Sequence, residues 1–291
     1  MTAEQVDKKV SEHVDGVHEK YPENDVLYCG LYGSQNYGMD TEASDVDTKA
    51  MLLPTTKEVI LGKKRVSAEV EMADGSLCTV KDVRGMFDEF MKNNTAFIEI
   101  LYTRYALTNA AFIEEVGDLR EHRDLLANHD PLRLMHQLHG LGVQKYTAFE
   151  KPFAGKLGIL DKYGYDLKQL HHLCRVRHFM EDYMDYKDYS SCLMPMPEVR
   201  DEILKLKTTP LPYYQAKNLL EEEREKLEDL LLRADAMYGT DEWKFITEKR
   251  TKEAREYLDD LAYRVISKQM VREQKIKEKF VASTGAMLKS K

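Results

Sequence analysis

The sequence predicts an α+β protein, with a small mixed-sheet domain over residues 1–105 followed by an all-helical domain over residues 106–291. Two observations predict this. Short apolar or alternating runs bounded by turn residues are confined to the first third, and helical periodicity dominates after it. Composition permits it: 43% of the 291 residues are apolar, enough for a sizeable core, and 32% are charged, which solvates the surface.

The elements follow in order. Val6, Val10, Val14 and Val17 recur at helical spacing, so residues 2–20 form an amphipathic helix, broken by Pro22-Glu23-Asn24. Val26 to Leu31 is an apolar run that fits a buried strand ending at Gly33-Ser34. Gln35 to Ser44 is rich in small and polar residues and forms a helical turn and a loop. Val46 to Leu53 is a second strand, closed by Pro54. Residues 65–72 and 76–81 flank Asp74-Gly75, a hairpin signal. Asp82 caps a helix running to about Lys92, and Phe97 to Tyr102 fits a strand or a short helix. Helices are expected at 111–127, 132–149, 166–184, 197–207, 212–237 and 241–280, with loops at 152–164 and 188–196 and a loose tail over 281–291.

Charge and cysteines exclude several classes. The net charge of -8 argues against binding nucleic acid through bulk charge, so a polyanion must meet a local basic patch. Cys29, Cys78, Cys174 and Cys192 are scattered without a C-x-x-C pair, against a zinc site or a disulfide scaffold and in keeping with a cytoplasmic protein. Met1 to Lys20 is polar throughout, unlike a signal peptide, and no apolar run reaches membrane-spanning length.

Chemistry concentrates after the first strand. Gly33 lets a ligand approach the backbone closely, and Ser34 at a helix start offers N–H groups and a hydroxyl to phosphate. Alone, Gly-Ser is a common turn dipeptide. Asp45 and Asp47 sit at i and i+2 on a strand, so both carboxylates point to one face while Val46 faces the core. Two like charges there call for a cation, and hard oxygen donors suit Mg²⁺ or Mn²⁺. Alone, the pair reads as surface acids. Together, in this order, the two features put phosphate donors and metal carboxylates at one sheet edge, which is what phosphoryl and nucleotidyl transfer require.

Lys49 shares the face of Asp45 and Asp47 and either touches phosphate or pairs with a carboxylate. Lys168, His172 and Arg175 stand at i, i+4 and i+7, one helix face that holds either a phosphate tail or solvent. Lys145 and Lys156 are possible additions to that patch. His136 and His139 have no third ligand nearby and read as a surface pair.

The run from Gly33-Ser34 through Tyr37-Gly38 and Thr41 to Ser44-Asp45-Val46-Asp47 resembles the DNA polymerase β superfamily of nucleotidyltransferases, in particular a bacterial and phage branch. Val80 to Arg84, Asn93, Phe97 to Leu101, and Gly164 to Arg175 extend the resemblance over roughly residues 25 to 180. It implies attack by an acceptor hydroxyl on the α-phosphate of a nucleoside triphosphate. Gly33 and Ser34 would hold the β- and γ-phosphates, and Asp45 and Asp47 one or two metal ions. The acceptor is an RNA end, a protein, a small molecule or a second nucleotide. The family usually has a third carboxylate on a later strand. Thr79 stands at that spacing, which leaves Glu71, Glu69 and Asp82 as candidates, Glu71 foremost. If none reaches the metals, catalysis is slow or the domain is a non-catalytic nucleotide-binding module; a toxin–antitoxin-type partner protein is a separate alternative, since small nucleotidyltransferases occur in such pairs.

Overall fold

In the computed structural model, which describes residues 1–42, 44–151 and 157–289, five strands form one mixed sheet in the order β3-β4-β2-β1-β5. They are β1 (Val26–Tyr32), β2 (Asp47–Leu52), β3 (Ser67–Glu71), β4 (Leu77–Asp82) and β5 (Ala106–Thr108). β1 is antiparallel to β2 and β5, β3 is antiparallel to β4, and β2 and β4 run parallel. The protein is therefore α+β, as its sequence predicts. β1 is buried on both faces, which explains why its sequence is a continuous apolar run rather than an alternating one.

Each face of the sheet has its own cover. The helix Ala3–Lys20 lays Val6, Val10 and Val17 on Cys29, Leu31, Ala50 and Val80. Thr2 caps it by accepting from Gln5 N–H. Leu27, Tyr28 and Met51 on the other side join a core that continues through the helices to Val265. The hairpin turns at Gly75, whose φ of 84° is left-handed, and Asp82 caps the helix Val83–Met91. Phe97 to Tyr102 holds two short helical turns, Thr95–Ile98 and Glu99–Leu101.

Helices Pro131–Ala148, Leu167–Tyr186 and Tyr213–Tyr238 pack on one another, and Pro197–Thr208 lies against Leu167–Tyr186. Four features differ from the sequence expectation, one being that helix continues to Lys289 where a loose tail was expected from 281. The region 111–127 is broken into Ile113–Glu121 and Arg123–Asn128. Short helices, Leu157–Tyr163 and Tyr189–Leu193, occupy parts of the expected loops. β5 is only three residues long and follows position 105; so short a run has no readable period.

The last helix, Asp241–Lys289, runs back to the sheet-bearing part. Gln269 donates to Asp25 (3.0 Å), Glu273 accepts from Thr56 N–H (3.0 Å), and Lys268 pairs with Glu115 (2.6 Å). All four cysteines are free and buried. Among the described residues, no helix is long and apolar enough to cross a membrane.

Candidate nucleotide and metal site

A cleft of about 870 Å³ opens between the end of β1, the start of β2 and the helices of the second half. Gly33, Ser34, Asp45, Asp47 and Glu99 line one side of it, and Lys145, Lys168, His172, Arg175 and Lys207 the other. Six of the nine site residues expected from sequence thus reach one cavity beside a seventh, Gly33, whose role the structure changes.

The turn after β1 is built around glycine. Gly33 has φ 113°, a left-handed value that favours glycine, and it leads into a one-turn 3₁₀ helix, Ser34–Tyr37. Its N–H donates to Glu99 Oε1 at 2.6 Å. That corrects the expected phosphate role of Gly33, because a backbone donor already bonded to a buried carboxylate is not free for a ligand. The turn is also too short for a strong helix-end field. The cleft-lining group left from this pair is Ser34.

Asp47 begins β2 and Asp45 stands just before it, with Val46 buried between them. Asp47 Oδ1 accepts from Leu77 N–H (2.9 Å), which fixes its carboxyl against β4. Gln35 holds the Asp45 carbonyl (2.8 Å). The intervening loop is held from the helical side: Lys207 Nζ donates to Met39 O (3.1 Å) and to Ser44 Oγ (3.0 Å). Burial lowers the Lys207 pKa, and Lys168 lowers it further, against Asp40 and Asp45.

Two expected site residues lie elsewhere. Lys49 is 4% exposed and does not line the cleft. Its ammonium sits 3.7 Å from the Tyr32 ring centroid and 4.4 Å from that of Phe97, so it is packed beneath aromatic rings and cannot touch phosphate there. Burial lowers its pKa to about 8. Glu71 is on edge strand β3, opposite Leu77, with the whole of β4 between it and Asp47. Glu69 lies opposite Thr79 on the same edge strand, and Asp82 is engaged by Arg84 (2.7 Å). Sheet order keeps Glu69 and Glu71 outside the cleft lining, because strands two places apart are separated by about 10 Å, and Asp82 lies outside it at the far end of β4, opposite Leu52.

Glu99 was not foreseen as a site residue. It is 4% exposed, and Asn36 Nδ2 (2.7 Å) and the Tyr37 hydroxyl join Gly33 in donating to it. Burial raises its pKa, opposed by Arg175 and those donors. Its signal in the sequence was a single acid inside the apolar run Phe97 to Leu101.

On the helical side, Arg175 stacks 3.3 Å from the Tyr37 ring centroid, and its Nε is buried with no hydrogen-bond partner among the described residues. A buried donor without a partner calls for an acceptor. His172 is held neutral: burial drives its pKa well below the ordinary value, and His171, Arg175, Lys145 and Lys168 push the same way. His171 donates from Nδ1 to Ile203 O (3.0 Å), a structural role. Lys156 lies outside the described residues.

Among the described residues, no group of three or more His, Cys, Asp or Glu side chains converges into a metal cage. Asp45 and Asp47 fit a smaller task. Mg²⁺ is commonly held by one or two carboxylates, with waters and substrate phosphate completing its shell. The donor chemistry here suits a cation that arrives with its nucleotide.

No family model matches the chain, and neither does any curated protein. Among solved structures it is similar to a nucleotidyltransferase-like protein from Exiguobacterium sibiricum 255-15, at 11% identity over 77% of this chain and 74% of that one, with a TM-score of 0.27. So distant a likeness transfers no site residue to this chain.

Proposed function

We propose that the protein is a metal-dependent nucleotidyltransferase of the DNA polymerase β superfamily, moving a nucleoside monophosphate from a triphosphate to an acceptor hydroxyl with release of pyrophosphate. One observation carries this reading: Asp45 and Asp47 face Lys145, Lys168, Arg175 and Lys207 across a single cleft. Adjacent acids opposite clustered cations match a metal-bound polyphosphate, which needs both signs at once.

The residues divide the work. Ser34 offers its hydroxyl to phosphate oxygens beside the acids. Arg175, Lys168, Lys145 and Lys207 offset the negative charge of the phosphate tail. His172, kept neutral, contributes hydrogen bonding rather than charge. Asp45 and Asp47 would hold Mg²⁺ or Mn²⁺, which when bound neutralises charge developing on the phosphates. Leu138, Leu141, Val176 and Phe179 give the cleft an apolar part suited to a flat base. The acceptor is an RNA end, a protein hydroxyl, a small molecule or a second nucleotide.

Among the described residues no third acid converges with the pair into a metal-holding group, and the oxygens of Glu99 are taken by the turn, which favours a second reading, a module that binds nucleotide without turning it over. Incubation with each α-labelled triphosphate, Mn²⁺ and a pool of RNA, protein and metabolites separates the two. Label on an acceptor supports transfer. Saturable nucleotide binding with no labelled product supports the module, and no binding of any triphosphate sinks both.

A further inference from the structure

Glu99 has a task that neither metal nor phosphate chemistry assigns. A carboxylate at 4% exposure costs several kcal/mol unless donors surround it. Here three donors do, from Gly33, Asn36 and Tyr37, the turn that carries Ser34. Asn36 is fixed further by accepting from Thr103 Oγ1 (2.7 Å) and donating to Leu31 O (3.0 Å). The turn needs such a clamp. Gly33 is left-handed at φ 113°, and glycine retains more conformational freedom than any other residue.

We propose that Glu99 is a positioning residue of the nucleotide site: its carboxylate locks the Gly33–Tyr37 turn so that Ser34 is presented to a phosphate held at Asp45 and Asp47. This rests on reading the cleft as a nucleotide site. Glu99 is not the base for the acceptor, because donors from the turn engage both of its oxygens. Through Tyr37 the lock also meets Arg175, so the donor turn and a cation of the opposite wall share one support.

The experiment is a double-mutant cycle on the full chain. Binding of Mn²⁺ with the α,β-methylene analogues of ATP, GTP, CTP and UTP is measured for the unmodified protein, Glu99→Ala, Glu99→Gln, Ser34→Ala and the Glu99→Ala/Ser34→Ala pair. Urea midpoints report the fold separately. Glu99→Ala should weaken binding about tenfold, the affinity equivalent of one lost charge-assisted hydrogen bond. Glu99→Gln should recover most of that, since an amide oxygen still accepts from Gly33 and Asn36. In the Ser34→Ala background, Glu99→Ala should cost little more, because the two act as one unit. Full additivity, or Glu99→Gln as weak as Glu99→Ala, overturns the proposal. If Glu99→Ala does not fold, Tyr37→Phe and Asn36→Ala take its place in the cycle. Unchanged affinity in both overturns the proposal equally. An unmodified chain that binds no analogue overturns the nucleotide site itself, and this inference with it.

Discussion

The two walls of the cleft are made in different ways. The wall at the sheet edge takes Ser34, Asp45 and Asp47 from a single short stretch of chain. The opposite wall gathers Lys145, Lys168, His172, Arg175 and Lys207 from three helices, Pro131–Ala148, Leu167–Tyr186 and Pro197–Thr208. The first is fixed by two neighbouring strands and the turn between them. The second exists only if helices far apart in sequence pack correctly. The acid wall depends on helical packing only through the contacts that Lys207 and Arg175 make with its loop and turn, while the cationic wall depends on it throughout.

The largest expected effect breaks the acid wall without disturbing the fold. Asp45→Asn together with Asp47→Asn should lower transfer of labelled nucleotide by ~10³-fold or more, since several kcal/mol of charge stabilisation depend on the metal. An amide oxygen at position 47 still accepts from Leu77 N–H, so the circular dichroism spectrum and urea midpoint should stay near those of the unmodified chain. Activity retained at full strength would remove the metal assignment.

Next in size is a blow to the cationic wall from behind. Arg177 shares the helix of Lys168 and Arg175 and pairs with Glu223 at 2.7 Å, their side chains 8% and 3% exposed. Burial raises the Glu223 pKa, but Arg177 and Lys226 outweigh it, and the net shift is downward. Glu223→Ala leaves the buried Arg177 with only the half-exposed Glu181 as a carboxylate partner and should cost about 2–3 kcal/mol in urea unfolding. Because the folded pKa is depressed, the pair's stabilisation is present at neutral pH and lost as pH falls through the folded value. Nucleotide affinity should drop with it, since the basic residues lose their common platform.

Acid should act on the helical part through buried histidines as well. Burial holds His129 and His171 to about 4, against the carbonyls of Phe90 and Ile203, which pull upward. The unfolded imidazoles titrate near the ordinary 6.5, so between 6.5 and about 4 the unfolded chain binds more protons. Stability is full above that window and falls as pH drops through it, by on the order of 3 kcal/mol for each histidine. Urea midpoints across the window test this, and a flat profile would contradict it.

The smallest effect belongs to an exposed cation. Lys168→Ala should weaken nucleotide binding about threefold, and added salt should shrink that difference, because a solvated charge is screened. A larger, salt-insensitive loss would mean that Lys168 is enclosed when nucleotide binds.

Legibility in the sequence followed the same division. Gly33-Ser34 and Asp45-Val46-Asp47 were readable because strand alternation and turn chemistry act over a few residues. The helix face of Lys168, His172 and Arg175 was readable as a face, though not as a wall of this cleft. Lys207 was invisible, since no local pattern says which element a lysine will reach. Lys49 misled, because strand alternation gave its face correctly but not the rings of Tyr32 and Phe97 that cover it. The third carboxylate misled for a topological reason. A hairpin signal places β3 beside β4, yet nothing local says that β4 and not β3 neighbours β2.

By itself the sequence determined the class of fold, the periodicity of most elements, and the acids at the sheet edge, because each depends on spacing along the chain. The tertiary structure alone decided strand order, the arrival of Lys207 and Lys145 opposite Asp45 and Asp47, and the capture of the Gly33 N–H by Glu99, 66 residues away. Those are long-range contacts, set by which surfaces exclude water together, and no local rule encodes them.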